Sequence, residues 1–313
     1  MKKFLSSFLK IAVTVFLFWW LSRSVNIKEL WAYFRSIPTS LMLGVFALGI
    51  LNVGGQALRF FYSVHLLMPP FTFKQAIVSH FSGFAFRLIL PGSVGEVGKT
   101  FLLPGDNKLR IYTFLLDAFY STGVMFFFFG IFTFLLYPRM WYMLAFCLIF
   151  FVFFWIYRLL LKTTNFKQHV PDHVPYLRFG LANIGFTMIT LVAYVLQYWT
   201  LMRQWGVSLF DQIKVCFFIL GVGSIPLSFA GMGFRENAAQ HVLQPFGVPP
   251  EAAVGAALFI FTVNVLIPAL IGVILLNFVS DIKLKDIKAL IKKKDVKKVK
   301  PSYAKAAKGR RKT

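Results

Sequence analysis

Long apolar stretches constrain this chain more than any other feature of its sequence. A helix needs about 20 apolar residues to cross the hydrocarbon core of a bilayer. Charged residues make up only 14% of the sequence, against about 25% in soluble domains. The sequence therefore predicts an all-α polytopic membrane protein. Six full transmembrane helices are expected near residues 4–22, 39–62, 111–137, 141–161, 180–202 and 252–278.

Two further apolar segments, residues 76–103 and 213–236, are interrupted by proline, glycine and charge. Proline interrupts helical hydrogen bonding and glycine lets the backbone turn, so neither segment forms an uninterrupted span. We expect two re-entrant hairpins; the alternative is that both segments cross, which gives eight helices. Three uninterrupted helices lie between the two segments, so re-entrant hairpins would enter from opposite sides of the membrane.

The two interrupted segments resemble each other. Residues 91–99 read PGSVGEVGK and residues 226–236 read PLSFAGMGFRE. Each contains P-x-S, then two glycines and a basic residue, with an acidic residue nearby. Paired broken segments of opposite orientation are typical of inverted-repeat transporters, whose binding site lies near the midplane. The pattern therefore indicates an inverted repeat.

The basic charge of the chain is concentrated at its C-terminal end. The formal net charge is +23, and residues 281–313 contain 14 Lys and Arg against 3 Asp. We divide the chain into a membrane domain, residues 1–280, and a polybasic tail, residues 281–313. The tail either contacts anionic phospholipid or fixes the topology. Charge scattered over short loops and a tail does not form a nucleic-acid groove, so no nucleic-acid partner is expected.

The distribution of Lys and Arg also predicts the orientation. Lys2 and Lys3 and the tail favour the cytoplasm for both termini, which requires an even number of spans. The loop 162–178 then lies inside, as its basic residues favour, whereas the basic loop around Arg23 lies outside and departs from the rule. We expect a multi-pass protein of the plasma membrane.

Charged residues within apolar segments are the candidate functional residues, because each costs roughly 2.5–3.5 kcal/mol to insert. A break in a helix frees backbone N–H groups for an anion, and Arg and Lys add positive charge for a phosphate. Glutamates would balance that charge or receive a cationic headgroup. The candidate residues for binding a lipid headgroup are Arg87, Pro91, Ser93, Glu96, Lys99, Pro226, Ser228, Gly231, Gly233, Arg235 and Glu236.

Structural alternatives exist for the same residues. The glycines and prolines could only form tight turns, with Arg87 and Lys99 at the membrane interface. The opposite hairpins could also neutralise each other, through a pair between Arg235 and Glu96 or between Glu236 and Arg87.

Polar residues on one face of the second apolar helix form another candidate feature. Asn52, Gln56, Arg59 and Ser63 are spaced i, i+4, i+7 and i+11, which places them on one face. Hydrogen bonding between helices is the favoured interpretation of this stripe. Arg59 and Asp117 are also charged candidates within apolar segments; for Asp117, near the start of its helix, a position close to the headgroups is the alternative.

Enzyme motifs are absent from the sequence. There is no G-x-S-x-G, since PGSVG has proline at the first position, no Walker A motif and no H-E-x-x-H. His169 and His173 are four residues apart, but Pro171 lies between them and no further ligands follow. We expect no metal and no cofactor.

The two glycine-containing segments resemble the signature regions of the lysylphosphatidylglycerol synthase transmembrane-region family, also called flippase-like. Pro91, Gly92, Gly95, Glu96 and Lys99 match its early P-G-x-x-G-[DE] pattern and the basic residue that follows it. The late P-x-S-x-x-G-x-G-x-R-E pattern is matched by Pro226, Ser228, Gly231, Gly233, Arg235 and Glu236. The similarity extends to about residue 280.

The resemblance implies translocation of a phospholipid or glycolipid headgroup. In bifunctional family members a separate soluble domain carries the aminoacyl transfer, and this chain is expected to lack it, so lysyltransferase activity is not expected. The alternative function is a non-catalytic membrane subunit that works with a lipid-modifying glycosyl- or aminoacyl-transferase. The expected partners are membrane lipids and, in the alternative, that transferase.

Overall fold

The computed structural model describes residues 27–68, 71–89, 97–103, 107–145, 147–148, 152, 176–224 and 231–278. Within these ranges the chain is helical apart from short turns, and it contains no strand. A π-helical turn, Thr262–Leu266, joins the last two helices. The principal helices are α1 (Ile27–Ser36), α2 (Thr39–Leu67), α3 (Phe73–Ile89), α4 (Asn107–Leu136), α5 (Tyr176–Met202), α6 (Leu209–Gly223), α7 (Phe234–Leu243), α8 (Pro250–Phe261) and α9 (Ile267–Phe278).

Four of the six predicted transmembrane helices are confirmed. Segments long and apolar enough to cross a membrane are Thr39–Leu67, Leu109–Leu136, Leu177–Trp205 and Pro250–Leu276. The predicted helix at 4–22 and most of the predicted helix at 141–161 lie outside the described residues. The described part of the chain therefore has the predicted all-α polytopic membrane fold.

A buried apolar cluster marks one end of the bundle, which we call the first end. Residues at the ends of several helices belong to this cluster. The cluster includes a residue just before α2, the last residue of α5 and the last residue of α7. It also includes the residues that precede α6 and α8. These five residues are Ile37, Met202, Leu243, Val207 and Val248. Helices α2 and α8 therefore start at the first end, whereas α5 and α7 finish there.

The opposite end, called the second end, has its own apolar cluster. Leu67 at the end of α2 packs there with Phe71 before α3, Tyr112 in the early part of α4 and Phe179 in the first turn of α5. Helices α4 and α5 therefore run from the second end towards the first, antiparallel to α2.

Each interrupted segment turns back to the end from which it started. Hairpin 1, residues 73–103, leaves the second end near Ala76 and returns there at Leu103. Hairpin 2, residues 209–243, leaves the first end after Val207 and returns at Leu243. The two arms of hairpin 2, α6 and α7, pack against each other. The described arms thus have the arrangement expected of re-entrant hairpins that enter from opposite ends; the turns themselves, residues 90–96 and 225–230, lie outside the described residues.

The inner parts of the two hairpins reach the same place, halfway along the bundle. A small apolar cluster there contains Val53 of α2, Phe84 of hairpin 1 and Phe261 of α8, and Met232 of hairpin 2 packs against it. Val53 is the central residue of α2, Thr39–Leu67. Both hairpins therefore extend about half of the way through the bundle and come together at its centre.

The chain divides into two units, Met1–Leu276 and Asn277–Thr313. All the residues of the site described below belong to the first unit. The predicted polybasic tail, residues 281–313, lies outside the described residues.

Candidate functional site

Hairpin 2 resumes its helix through two glycines with left-handed backbone. Gly231 has a φ of 77° and Gly233 a φ of 83°, values at which a residue with a side chain is strained. An added Cβ on Gly231 would also overlap the carbonyl oxygen of Gly223 in the other arm. The G-x-G pattern is therefore required by the backbone turn and by the close approach of the two arms.

Glu236 is fully buried and caps the helix that follows this turn. Its Oε2 accepts a hydrogen bond of 2.6 Å from the backbone N–H of Gly233, and a negative charge in the first turn of α7 is favoured by the helix dipole. The second carboxylate oxygen, Oε1, has no hydrogen-bond partner among the described residues. One of the two carboxylate oxygens is thus bound within the first turn of its own helix.

Arg235 is buried, with 8% of its surface exposed. Its guanidinium carbon lies 4.6 Å from the centre of the Phe261 ring, a cation–π distance, and its aliphatic stem packs against Gly223. The expected partner Glu96 lies outside the described residues. The expected pair of Glu236 with Arg87 is replaced by the hydrogen bond of Glu236 to its own helix.

Lys99, the basic residue of hairpin 1, reaches a carboxylate on another helix. Its Nζ lies 3.6 Å from Oδ2 of Asp117 in α4 and over the rings of Phe60 and Phe114, at 4.6 and 5.2 Å from their centres. Only 6% of Lys99 is exposed. The hydroxyl of Ser79 donates to the carbonyl of Lys99 at 2.6 Å and ties this turn to α3. Lys99 is therefore held in the interior of the bundle.

Asp117 is the centre of a buried ionic cluster. Its Oδ1 accepts from Arg59 Nε at 3.2 Å and from the Ser63 hydroxyl at 3.1 Å. Its Oδ2 accepts from Arg59 Nη2 at 3.4 Å and faces Lys99. Two buried cations, Arg59 and Lys99, therefore share one carboxylate whose oxygens are both occupied.

A small cavity of about 30 Å³ lies beside this cluster. It is large enough for a water-sized group. His80 of α3 lines it with 6% of its surface exposed, and neither ring nitrogen has a hydrogen-bond partner among the described residues. The lining is formed by residues of α2, of α3 and of the returning arm of hairpin 1: Gln56, Arg59, His80, Gly83, Phe84, Arg87 and Lys99.

The polar stripe on α2 makes the predicted hydrogen bonds between helices. The Asn52 amide donates to the carbonyl of Thr190 at 2.9 Å, and Arg59 Nη1 donates to the hydroxyl of Thr187 at 3.1 Å. Two members of the stripe, Gln56 and Arg59, also line the cavity. The stripe thus has a second role that the hydrogen-bonding interpretation did not include.

The structure places the described candidate residues at the inner parts of the two hairpins. Lys99 and Arg87 line the cavity, while Gly231, Gly233 and Arg235 lie at the turn of hairpin 2, beside Glu236. The remaining predicted residues lie outside the described part of the chain. They are Pro91, Ser93, Glu96, Pro226 and Ser228.

The residues predicted to bind a headgroup did not include Arg59, Asp117 or His80. Asp117 was a charged candidate with a position near the headgroups as its alternative; α4 begins at Asn107, so Asp117 lies about 15 Å along the helix and is fully buried. Its insertion cost was a signal that pointed to a buried partner. His80 carried no such signal, because a single histidine in an amphipathic helix has many ordinary explanations.

Helices with two broken hairpins that meet around buried charge define a class of polytopic membrane protein with a central polar site. Residues 7–272 match the family described as the lysylphosphatidylglycerol synthase TM region. The chain belongs to this family, and the resemblance of its two glycine-containing segments is thereby confirmed. No curated protein matches the sequence.

Proposed function

We propose that this protein moves the headgroup of a phospholipid or a glycolipid across the bilayer between its two hairpins. The observation that carries the proposal is that hairpins from opposite ends meet at one apolar cluster in the middle of the bundle. Broken helices at the midplane are typical of transporters that expose a central site to each side in turn.

Buried charge beside both turns supports the same proposal. Lys99 and Arg235 lie on opposite hairpins, and each is more than nine-tenths buried. Such charges are rarely idle inside a membrane. We assign Arg87, Lys99 and Arg235 to the phosphate of the lipid, and we assign Glu96 and Glu236 to charge balance or to a cationic headgroup.

The size of the central cavity indicates how transport would proceed. At about 30 Å³ it accepts a water-sized group but not a whole headgroup. A headgroup can therefore pass only when one hairpin moves relative to α2 and α4. In this mechanism the hairpins act as the moving elements, and the long helices form the fixed frame.

We further propose that the protein lies in the plasma membrane and that the second end of its bundle faces the cytoplasm. The last helix runs towards the second end, and the Lys-rich tail follows it in sequence. Each Lys or Arg near an anionic leaflet contributes about 1 kcal/mol. The tail therefore favours this orientation, with both termini cytoplasmic, and would bind anionic phospholipid.

Reconstitution into vesicles tests the proposal. Purified protein is incorporated into vesicles that contain headgroup-labelled phosphatidylglycerol, and an impermeant reductant measures how fast inner-leaflet label becomes accessible. We expect the protein to accelerate this exchange and Arg235→Ala to abolish most of the acceleration. Arg203→Ala is the matched control, since Arg203 lies at the first end over the ring of Trp199 and should transport normally.

Two results would count against the proposal. Normal transport by Arg235→Ala would remove the role assigned to that residue. If the unaltered protein moves neither phospholipid nor glycolipid, translocation is wrong. The alternative, a membrane subunit of a lipid-modifying transferase, then predicts that such an enzyme co-purifies with the full chain.

A further inference from the structure

We infer that the cavity beside Asp117 is a binding site for a singly charged phosphate group, held by Arg59, Lys99 and His80. This deepens the proposed function, on which it rests for the lipid source of the phosphate. The residues that carry it lie on α2, on α3 and on the returning arm of hairpin 1. Arg59 was predicted as part of the polar stripe on α2, and His80 was not predicted from the sequence.

The charge of the cluster requires an anion. Arg59 and Lys99 are each more than 90% buried, and the single carboxylate of Asp117 lies between them. The charges of these three groups sum to +1. Burying a charge without a counter-ion is unfavourable, so a ligand with one negative charge would neutralise the cluster of Arg59, Lys99 and Asp117.

The hydrogen-bonding capacity of the cluster points to a ligand that only accepts. Both oxygens of Asp117 are already occupied. Arg59 has five N–H donors and Lys99 has three, more than Asp117 and Thr187 can receive. A phosphodiester presents two unbridged oxygens with one negative charge, and both accept hydrogen bonds. It therefore matches the surplus of donors.

His80 supplies an independent observation that points to a ligand. Only 6% of His80 is exposed, and both nitrogens of its imidazole lack a hydrogen-bond partner among the described residues. Edge-to-face packing on Phe84, with ring centres 5.2 Å apart, fixes its orientation at the cavity. An unpaired buried polar group is costly, and a phosphate oxygen in the cavity would accept the N–H of His80.

The cavity must enlarge slightly when the phosphate enters, because it now fits only a water-sized group. The groups at its margin are suited to this. Lys99 has a long side chain that lines the cavity, and a rotamer change repositions its ammonium group around an entering phosphate without moving the backbone. Arg59 remains held by Asp117 and Thr187 and provides the fixed part of the site.

Binding to the purified full-length chain in a non-ionic detergent tests the assignment. The probes are dihexanoyl phosphatidylglycerol, dihexanoyl glycerol as its phosphate-free counterpart, and inorganic phosphate against chloride at equal ionic strength. Isothermal titration calorimetry measures affinity, and thermal unfolding measures stabilisation. We expect saturable binding of the phospholipid and none of dihexanoyl glycerol.

Two variants separate binding from folding. Lys99→Met leaves the Arg59–Asp117 pair balanced, and His80→Phe replaces an imidazole by a ring of similar shape, so both should fold. We expect each to weaken phospholipid binding by about tenfold or more, as expected for loss of a hydrogen bond to a charged group. The matched controls, Lys214→Met and His241→Phe, lie on hairpin 2 and should bind like the unaltered protein.

The outcomes distinguish the source of the phosphate. Tighter binding of phospholipid than of inorganic phosphate, weakened in both variants, supports a lipid phosphate. Equal affinity with mutual competition supports the same residues as a site for free phosphate and overturns the lipid source. Absence of saturable binding by either probe, or binding unaffected by both variants, overturns the site.

The vesicle assay keeps this result separate from the proposed function. Phospholipid binding that depends on Lys99 and His80, without any transport, leaves the site in place and refutes translocation. Transport and phospholipid binding that are both normal in Lys99→Met and in His80→Phe leave translocation in place and refute the site.

Discussion

The two hairpins place buried charge beside their inner turns, but they stabilise it differently. In hairpin 2, Glu236 accepts from Gly233 in its own first turn, and Arg235 lies over the ring of Phe261. In hairpin 1, Lys99 contacts Asp117 of α4, which also binds Arg59 of α2. The carboxylate of hairpin 2 is thus bound within its own turn, whereas the carboxylate that faces the charge of hairpin 1 is shared between helices.

The difference indicates which part of each hairpin serves the fold and which serves a ligand. A carboxylate that caps its own helix stabilises that helix whether or not a ligand is present. A cluster of two cations and one carboxylate keeps one net positive charge. Its stability therefore depends on a neighbouring group or ligand that compensates this charge. Hairpin 1 therefore contributes a charge that a ligand can balance, and hairpin 2 contributes Arg235 next to a helix that caps itself.

Removing the shared carboxylate should give the largest effect. Asp117→Asn leaves Arg59 and Lys99 buried together without a counter-charge, and we expect a loss of about 3–5 kcal/mol of stability. Thermal unfolding in detergent measures it. Asp211→Asn is the control, because Asp211 pairs with Lys214 at a partly exposed position and its loss should cost under about 1 kcal/mol. Equal destabilisation by the two changes would show that the cluster is not a shared ionic centre.

The tight turn of hairpin 2 should be the next most sensitive feature. Gly231→Ala combines an unfavourable φ of 77° with overlap on the Gly223 carbonyl, and we expect a loss of about 1–3 kcal/mol or more. Gly247→Ala is the control, since Gly247 has a φ of 73° but no atom near an added Cβ.

Both glycine variants have an unfavourable backbone φ, but only Gly231→Ala also creates an overlap between the two arms. The difference between their unfolding temperatures therefore measures the effect of that overlap. Similar losses of stability in both variants would mean that the two arms separate readily. The close contact between Gly231 and Gly223 would then not stabilise hairpin 2.

The smallest effect distinguishes the two roles of Glu236. Glu236→Ala removes the cap and should lower stability by about 1 kcal/mol, whereas Glu236→Gln keeps an oxygen for the Gly233 N–H and should cost less. Thermal unfolding of both variants measures the difference. If Gln is as destabilising as Ala, the negative charge is engaged beyond its own helix, and the two hairpins are more alike than their contacts indicate.

Much of the architecture could be predicted because the bilayer imposes simple requirements on sequence. The length of the run beginning at Thr39 predicted a spanning helix, and the structure has one from Thr39 to Leu67. The Pro-Gly interruptions predicted two hairpins, and the number of helices between them predicted opposite entry. These inferences depend on length, polarity and backbone chemistry, all of which are properties of local sequence.

The charged site was predicted only in part, because partners on different helices are not marked in the sequence. Lys99 was a candidate on account of its position after the glycines, and Asp117 was a separate charged candidate that no sequence pattern paired with Lys99. His80 was not a candidate at all. The pairing of Arg59 with Asp117 joins residues 58 positions apart, and no local pattern specifies such a contact.

The sequence by itself thus determined a membrane protein with two broken segments that enter from opposite sides, since hydrophobic length and helix-breaking residues act locally. Only the tertiary structure decided which charges meet. Packing of α2 against α4 and hairpin 1 brings two cations to one carboxylate, and it leaves an unpaired imidazole at the cavity beside them. Charge balance is a property of the assembled cluster, because each residue contributes one charge but the sum depends on which residues the fold places together.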